Sequence, residues 1–267
     1  MRCPNCGERN TDTISKTGET AHIRCPQCLT ESRIVDKQAR AARLAAEAAA
    51  ASEEHIGKKV QDALEQHGDS SERVAKECWN VALELAASGS SSSGFLISAD
   101  GLAITNAHCV RDGETGRLYT DTRGRVAGGE WAPFDVLHVF GANATPDDIA
   151  VIKFRRIPRG AVIARLGDGS ALNNGSKVFA IGNGLGRGTN ISDGIVSDKN
   201  RGGLIMHTAE INPGNSGGPL FNSQGLVIGA NVSVAIDAKG AAAAGMKNAV
   251  PINHITRLLG SVNISCK

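Results

Sequence analysis

Three short stretches of this chain carry side chains suited to one shared reaction. In Asn212-Pro213-Gly214-Asn215-Ser216-Gly217-Gly218-Pro219-Leu220 a single serine, Ser216, is hemmed by three glycines and two prolines. Glycine is used where backbone turns sharply, takes positive φ or approaches another group closely, so this loop presents one hydroxyl beside bare backbone. Acyl transfer by serine needs such an arrangement: an exposed oxygen, with N–H groups aimed at the charge that develops on the attacked carbonyl. A serine hydroxyl is a weak nucleophile at neutral pH and requires a base, which in turn requires an orienting group. His108, in Thr105-Asn106-Ala107-His108-Cys109-Val110, offers the base. Asp148, opening Asp148-Ile149-Ala150-Val151-Ile152-Lys153, offers the orienting carboxylate, with Asp147 as its rival.

A second constellation lies at the N-terminus. Cys3-x-x-Cys6 and Cys25-x-x-Cys28 are separated by 18 residues, the spacing of a structural zinc site. Four thiolates would hold Zn²⁺ tetrahedrally, a structural metal with no part in the acyl-transfer chemistry. The few apolar residues between the pairs cannot make a core, so metal binding would supply most of the folding free energy, on the order of 10 kcal/mol. Of the remaining cysteines, Cys109 reads as a packed free thiol, with a bridge to Cys78 or Cys266 as the lesser alternative.

Taken in chain order, His then Asp then Ser is the sequence of the chymotrypsin-type triad and not of the subtilisin or α/β-hydrolase types. The segments TNAHCV, DIAVIK and GNSGGPL resemble the trypsin-fold serine proteases, and within them the HtrA/DegP-like branch. Gly94-Phe95-Leu96-Ile97-Ser98-Ala99-Asp100-Gly101 and Ala180-Ile181-Gly182-Asn183-Gly184 extend the match, which covers about residues 89–260. The resemblance implies a serine endopeptidase acting on a protein or peptide substrate. Ser216 would attack, His108 would carry the proton, and Asp148, placed as in the family's aspartate-apolar-alanine pattern, would fix the imidazole. The N–H groups of Gly214 and Ser216 would form the oxyanion hole, and Asn231-Val232-Ser233 the strand that pairs with substrate backbone.

The same resemblance sets expectations about regulation and specificity. Asn215 stands where digestive zymogens have an aspartate that pairs with a newly cut N-terminus, so control by loop ordering, oligomerisation or a partner is expected instead. Glu210 occupies the base of the primary specificity pocket, where HtrA-like enzymes usually keep a small residue. A buried glutamate there would favour Lys or Arg, and an outward-turned one would leave small apolar specificity. Only Gly260–Lys267 follow Leu259, too few for the PDZ domain usual in that branch, so docking is expected to fall to the N-terminal region, residues 1–87.

The elements that must position these groups follow from composition. The chain has 267 residues and a formal net charge of +2, enough length for a double-barrel domain plus a smaller unit and too little charge to call for nucleic acid or an anionic membrane. Residues 1–35 read as a zinc ribbon. Residues 36–87 read as an α-helical arm, alanine-rich at first, then carrying Val74, Cys78, Val81 and Leu85 at helical spacing. Residues 88–267 read as the protease domain, entered through a polar hinge, Ser88-Gly89-Ser90-Ser91-Ser92-Ser93-Gly94.

Beyond that hinge, short apolar segments at Phe95–Ser98, Ala103–Thr105, Val136–Phe140, Ile149–Phe154, Lys177–Ile181, Gly194–Ser197, Leu204–His207, Leu220–Phe221, Leu226–Val234 and Gly245–Pro251 predict a mostly β fold. The resemblance selects a chymotrypsin-like pair of six-stranded β-barrels, closed by a helix over Ile252–Leu259. No secretory leader or spanning segment opens the chain, and with the zinc-type cysteines this predicts a cytoplasmic setting. The ribbon is read as a docking or sensing module. Residues 1–43 hold eight Lys/Arg against five Asp/Glu, and a zinc tetrathiolate offsets most of that excess, which argues weakly against nucleic acid. The rival reading is a catalytically silent protease-fold adaptor, or a nucleic-acid-associated protein working through its ribbon.

Overall fold

The computed structural model describes residues 12–17, 20–25, 27–29, 31–35, 43, 70–141, 145–236 and 242–264. The chain divides into two compact units, Met1–Gly68 and Asp69–Lys267. In the first, β1 (Asp12–Thr17), β2 (Thr20–Arg24) and β3 (Glu31–Val35) form an antiparallel sheet in sequence order. Cys25 and Cys28 follow β2 in a tight turn, where the Leu29 N–H donates to the Cys25 carbonyl at 2.8 Å and Leu29 takes a φ of 57°. Cys3, Cys6 and, apart from Arg43, the expected alanine-rich arm lie outside the described residues.

The second unit opens with α1 (Ser70–Cys78) and a 3₁₀ turn, Trp79–Val81. Val74, Cys78 and Val81 are buried, as the helical stripe requires. The stripe ends there. Leu85 lies in a strand, β4 (Ala82–Ala87), with Leu83 and Leu85 packed in the core of the first barrel. β4 is hydrogen-bonded along both edges, and those ladders override the helix propensity of its alanines and leucines.

The polar hinge is also absent. Ser88 and Gly89, at φ 48° and 80°, make the tip of a hairpin, and β5 (Ser90–Leu96) runs straight back along β4 from Ala87↔Ser90 to Ala82↔Phe95. The first barrel therefore begins at Ala82, before the expected boundary. A serine run reads as linker because its side chains show no alternation, yet strand ladders use only backbone. The side chains of Ser92 and Ser93 are buried.

The remaining strands are β6 (Leu102–Thr105), β7 (Thr122–Arg125), β8 (Ala132–Val139), β9 (Ala150–Phe154), β10 (Lys177–Gly182), β11 (Asn190–Arg201), β12 (Leu204–His207), β13 (Pro219–Asn222), β14 (Val227–Ile236) and β15 (Ala242–Pro251), and α2 (Ile252–Ser261) follows. They form two closed antiparallel six-stranded barrels, ordered β4-β5-β6-β9-β8-β7 and β10-β11-β12-β15-β14-β13. Every predicted apolar segment falls on one of these strands; β4 and β7 are the strands the apolar pattern missed.

Leu83, Leu85, Val110, Phe134, Ile152 and Phe154 fill the first barrel, and Val178, Val196, Ile205, Leu220 and Ile228 the second. A third cluster joins strands of both barrels with both helices: Val74, Phe95, Ile104, Phe179, Phe221 and Ile255. Burying one such phenylalanine stabilises by about 2–3 kcal/mol, so this seam holds the barrels together and fixes the cleft between them.

Candidate active site

His108 and Asp148 are brought together by strand pairing. β6 and β9 are antiparallel neighbours with Thr105 opposite Ala150. The residue three beyond the end of β6 thus meets the residue two before the start of β9. His108 sits in a 3₁₀ turn, Ala107–Cys109. Asp148 is fully buried and bound on both carboxylate oxygens: Oδ2 to His108 Nδ1 at 2.7 Å, Oδ1 to the His108 backbone N–H at 3.1 Å. Asn106 Nδ2 donates to the Asp148 carbonyl at 2.7 Å, pinning the loop.

This geometry places the proton on Nδ1 and turns Nε2 outward. Burial pulls the His108 pKa down, but the Asp148 hydrogen bond, followed by the Cys109 thiol, outweighs it and raises the imidazole to about 10. Asp147, the rival, is engaged elsewhere, with Oδ1 2.6 Å from His254 Nε2.

Ser216 lies between β12 and β13 in a loop whose conformation needs glycine. Gly214 has a φ of 104°, and a Cβ there would overlap the Asn183 carbonyl oxygen. The N–H groups of Asn215, Gly217 and Gly218 bond to the carbonyls of Asn212, Asn231 and Asn215. Among the described residues the N–H groups of Gly214 and Ser216 carry no such bond, as an oxyanion hole requires.

The loop is held from the first barrel by Ser93, a residue the sequence reading placed in a hinge. Ser93 N–H donates to the Ser216 carbonyl at 2.9 Å, and its Oγ donates to the Gly214 carbonyl at 2.7 Å while accepting from Asn183 N–H at 2.8 Å. Glu84 was likewise missed. Its buried carboxylate accepts from Arg125 Nε at 2.8 Å and from Thr189 N–H and Oγ1 at 3.0 Å, tying the loop after β10 to the first barrel. No sequence signal marks either residue; strand register alone reveals them.

The triad members share one cleft, but the hydroxyl is not on the imidazole. Ser216 Oγ donates to the Val232 carbonyl at 3.3 Å. His108 Nε2 faces the Cys109 sulfur at 3.6 Å, and that sulfur lies 3.7 Å from the Ser216 carbonyl oxygen.

The substrate-side residues partly depart from expectation. Asn231 offers no open edge, because its N–H and C=O bond to the Gly218 carbonyl and the Gly217 N–H. β13 pairs with β14 only as far as Ala230, so the Val232–Ser233 backbone continues past it beside the Ser216 loop. Glu210 is exposed, with Oε1 3.3 Å from Nζ of the buried Lys247. That pair cancels the free negative charge on which specificity for Lys or Arg depended. His207 is fully buried with both ring nitrogens unpartnered. Burial outweighs the opposing effect of the Asn231 side chain and, with the Lys247 charge added, lowers its pKa to about 4 and keeps it neutral.

Comparison with known proteins agrees with this fold. The family model for the trypsin-like peptidase domain matches residues 92–229. HhoB of Synechocystis sp., named as a serine protease, is 36% identical over 159 residues, which are 55% of this chain and 35% of that protein. A protein of Brucella suis named as a periplasmic DegP-like serine endoprotease is 35% identical over 53% of this chain and 27% of its own length. The chain thus spans about a third of the length of these relatives. The HtrA-type protease AlgW with a bound tripeptide superposes with a TM-score of 0.60 at 25% identity, covering 71% of this chain and 62% of that one.

These names correct one expectation. Relatives from Brucella suis and Ectopseudomonas mendocina are periplasmic by name, which overturns the cytoplasmic setting inferred from the first residues and the cysteines. Among the described residues no helix is long and apolar enough to cross a membrane. With its double barrel, its paired imidazole and carboxylate, and more than half its length matched, the chain belongs to the trypsin-like peptidase domain family.

Proposed function

We propose that this chain is a serine endopeptidase of the HtrA/DegP type that cleaves peptide bonds through an acyl-enzyme. The observation that carries this reading is the His108–Asp148 pair, buried on the carboxylate side and with Nε2 directed away from it toward the Cys109 sulfur, in the cleft that also holds Ser216. Ser216 Oγ attacks the scissile carbonyl, and His108 takes its proton and returns it to the leaving amine. Asp148 holds the tautomer and stabilises the imidazolium. The N–H groups of Gly214 and Ser216 receive the developing oxyanion; losing one such donor typically lowers the rate ~10²–10³-fold. The Val232–Ser233 backbone pairs with the substrate.

Turnover on this reading requires two local moves: Ser216 Oγ leaves the Val232 carbonyl, and Nε2 turns from the Cys109 sulfur to the hydroxyl. A substrate strand that binds the Val232 carbonyl would release the hydroxyl, coupling occupancy to alignment. A fluorophosphonate probe tests the assignment. Labelling that disappears in Ser216→Ala and collapses in His108→Ala is expected; absence of labelling with a bound peptide present favours a silent adaptor, the reading to which the unaligned hydroxyl lends support.

For residues 1–35 we propose a structural zinc ribbon with docking as its role. The donor set is two Cys-x-x-Cys pairs, Cys3 with Cys6 and Cys25 with Cys28. The turn after β2, closed by the Leu29–Cys25 hydrogen bond, keeps Cys25 and Cys28 close, which is how a zinc knuckle presents two thiolates. About one zinc per chain in the purified protein, falling in Cys25→Ser, is the expected measurement.

A further inference from the structure

Glu210, at the position that the family resemblance assigns to reading a substrate side chain, is ion-paired with Lys247. Glu210 lies six residues before Ser216 and is followed directly by the loop that carries the oxyanion N–H groups. Lys247 is on β15, opposite His207 of β12. The two partners are unlike in burial: the lysine side chain is 8% exposed and the glutamate side chain 61%. Nearby, His207 and Asn231 are both completely buried and lie close to each other, but neither the imidazole nitrogens nor the Asn231 Oδ1 makes a well-formed hydrogen bond. The spot therefore holds one buried cation, one half-solvated carboxylate and buried polar atoms that are only weakly satisfied.

A buried ammonium does not leave easily, because stripping it of its counter-ion inside a protein is strongly unfavourable. The exposed carboxylate does leave easily, because water solvates it as well as the lysine does. An entering side chain therefore meets a fixed positive charge with an exchangeable partner. A carboxylate can take the place of the Glu210 carboxylate on Nζ and accept hydrogen bonds from it. A Lys or Arg side chain meets like charge, and an aliphatic one covers polar atoms without satisfying them.

Building on the endopeptidase reading, we propose that this enzyme cleaves after acidic residues, with Lys247 as the specificity-determining cation and Glu210 as a built-in competitor that the substrate's carboxylate displaces. Of the two outcomes the sequence leaves open for Glu210, basic or small apolar selection, neither holds on this proposal, because Lys247 of β15 remains when the glutamate is displaced. His207 stays neutral beside Lys247 and adds no second charge, and no other charged group is placed with them on β12 or β14 among the described residues.

The test uses the full chain and a peptide set differing only in the residue before the cut: Glu, Asp, Ala, Val, Lys and Arg. The Glu peptide is expected to exceed the Ala peptide by tenfold or more in kcat/KM, with Lys and Arg lowest. Lys247→Met should lower the Glu-to-Ala ratio at least tenfold, and Glu210→Gln, at an exposed site that tolerates change, should raise it several-fold. A preference for Ala, Val, Lys or Arg, or a ratio unmoved by Glu210→Gln, overturns the proposal. In parallel, fluorescent product peptides ending in Glu, Ala or Lys are bound to the Ser216→Ala chain. Tighter binding of the Glu peptide supports the pocket even if Ser216 never labels. Labelling and turnover with the Ala or Lys peptide ahead sinks the pocket while leaving the endopeptidase reading intact.

Discussion

Nε2 of His108 lies 3.6 Å from the sulfur of Cys109, its own neighbour in sequence. The thiol thus lies between the imidazole and the Ser216 backbone, and on the proposed mechanism it competes with the serine hydroxyl for Nε2.

Removing that thiol should free the base. In Cys109→Ala the rate of fluorophosphonate labelling of Ser216 is expected to rise two- to fivefold, with the fold unchanged by circular dichroism. A fall of tenfold or more would mean that the sulfur orients His108 rather than competing for it.

The pH profile should carry the mark of the raised imidazole. Attack needs neutral His108, whose pKa stands at about 10 against an ordinary 6.5, so kcat/KM is expected to climb from neutral into alkaline solution. The pair's stabilisation is fully present below about 6.5 and is lost as pH rises through about 10. Asp148→Asn should reduce kcat on the order of 10⁴-fold and move the ascending limb to lower pH. A limb that stays in place would remove Asp148 as the cause of the shift.

His207 should govern stability on the acid side. Its folded pKa of about 4 lies below the ordinary 6.5, so as pH falls the unfolded chain takes up the proton first. Stability is complete above about 6.5 and declines from there toward 4, by on the order of 3 kcal/mol. His207→Leu should flatten that decline; urea midpoints at pH 7 and pH 4.5 report it.

Ser93 should matter to the oxyanion loop although it touches no substrate. Ser93→Ala leaves the Gly214 carbonyl and the Asn183 N–H without their shared partner in a buried place, a loss of about 1–3 kcal/mol. Gly214→Ala, which combines a φ of 104° with overlap on Asn183, should abolish labelling. Near-normal labelling in Gly214→Ala would show that the loop can be rebuilt without glycine.

A cut between Ser88 and Phe95 is expected to destroy activity rather than create it. The segment is the tip and second strand of the β4–β5 hairpin, so limited proteolysis there should unpick the first barrel. Labelling that increases after such a cut would restore a zymogen mechanism.

Much of this arrangement was legible because the relevant signals are local. Glycines around Ser216, turn-punctuated apolar segments and the order of His108, Asp148 and Ser216 each survive in a few adjacent letters. What was illegible depends on partners far along the chain. β5 hides in a serine run because backbone ladders leave no imprint on small polar side chains. β4 hides in a helical stripe because three of its four supposed members are helical. What Glu210 does could not be read from Glu210, since its ion-pair partner Lys247 lies 37 positions later, on β15. The setting was misread because metal-type cysteines and a plain first stretch were taken as an address.

The serine of the first barrel that clasps the loop of the second makes the shape of that loop depend on both halves of the domain. A copy whose barrels have not docked lacks the two Ser93 bonds to the Gly214 and Ser216 carbonyls, so on the endopeptidase reading full competence to cut would wait until folding is complete.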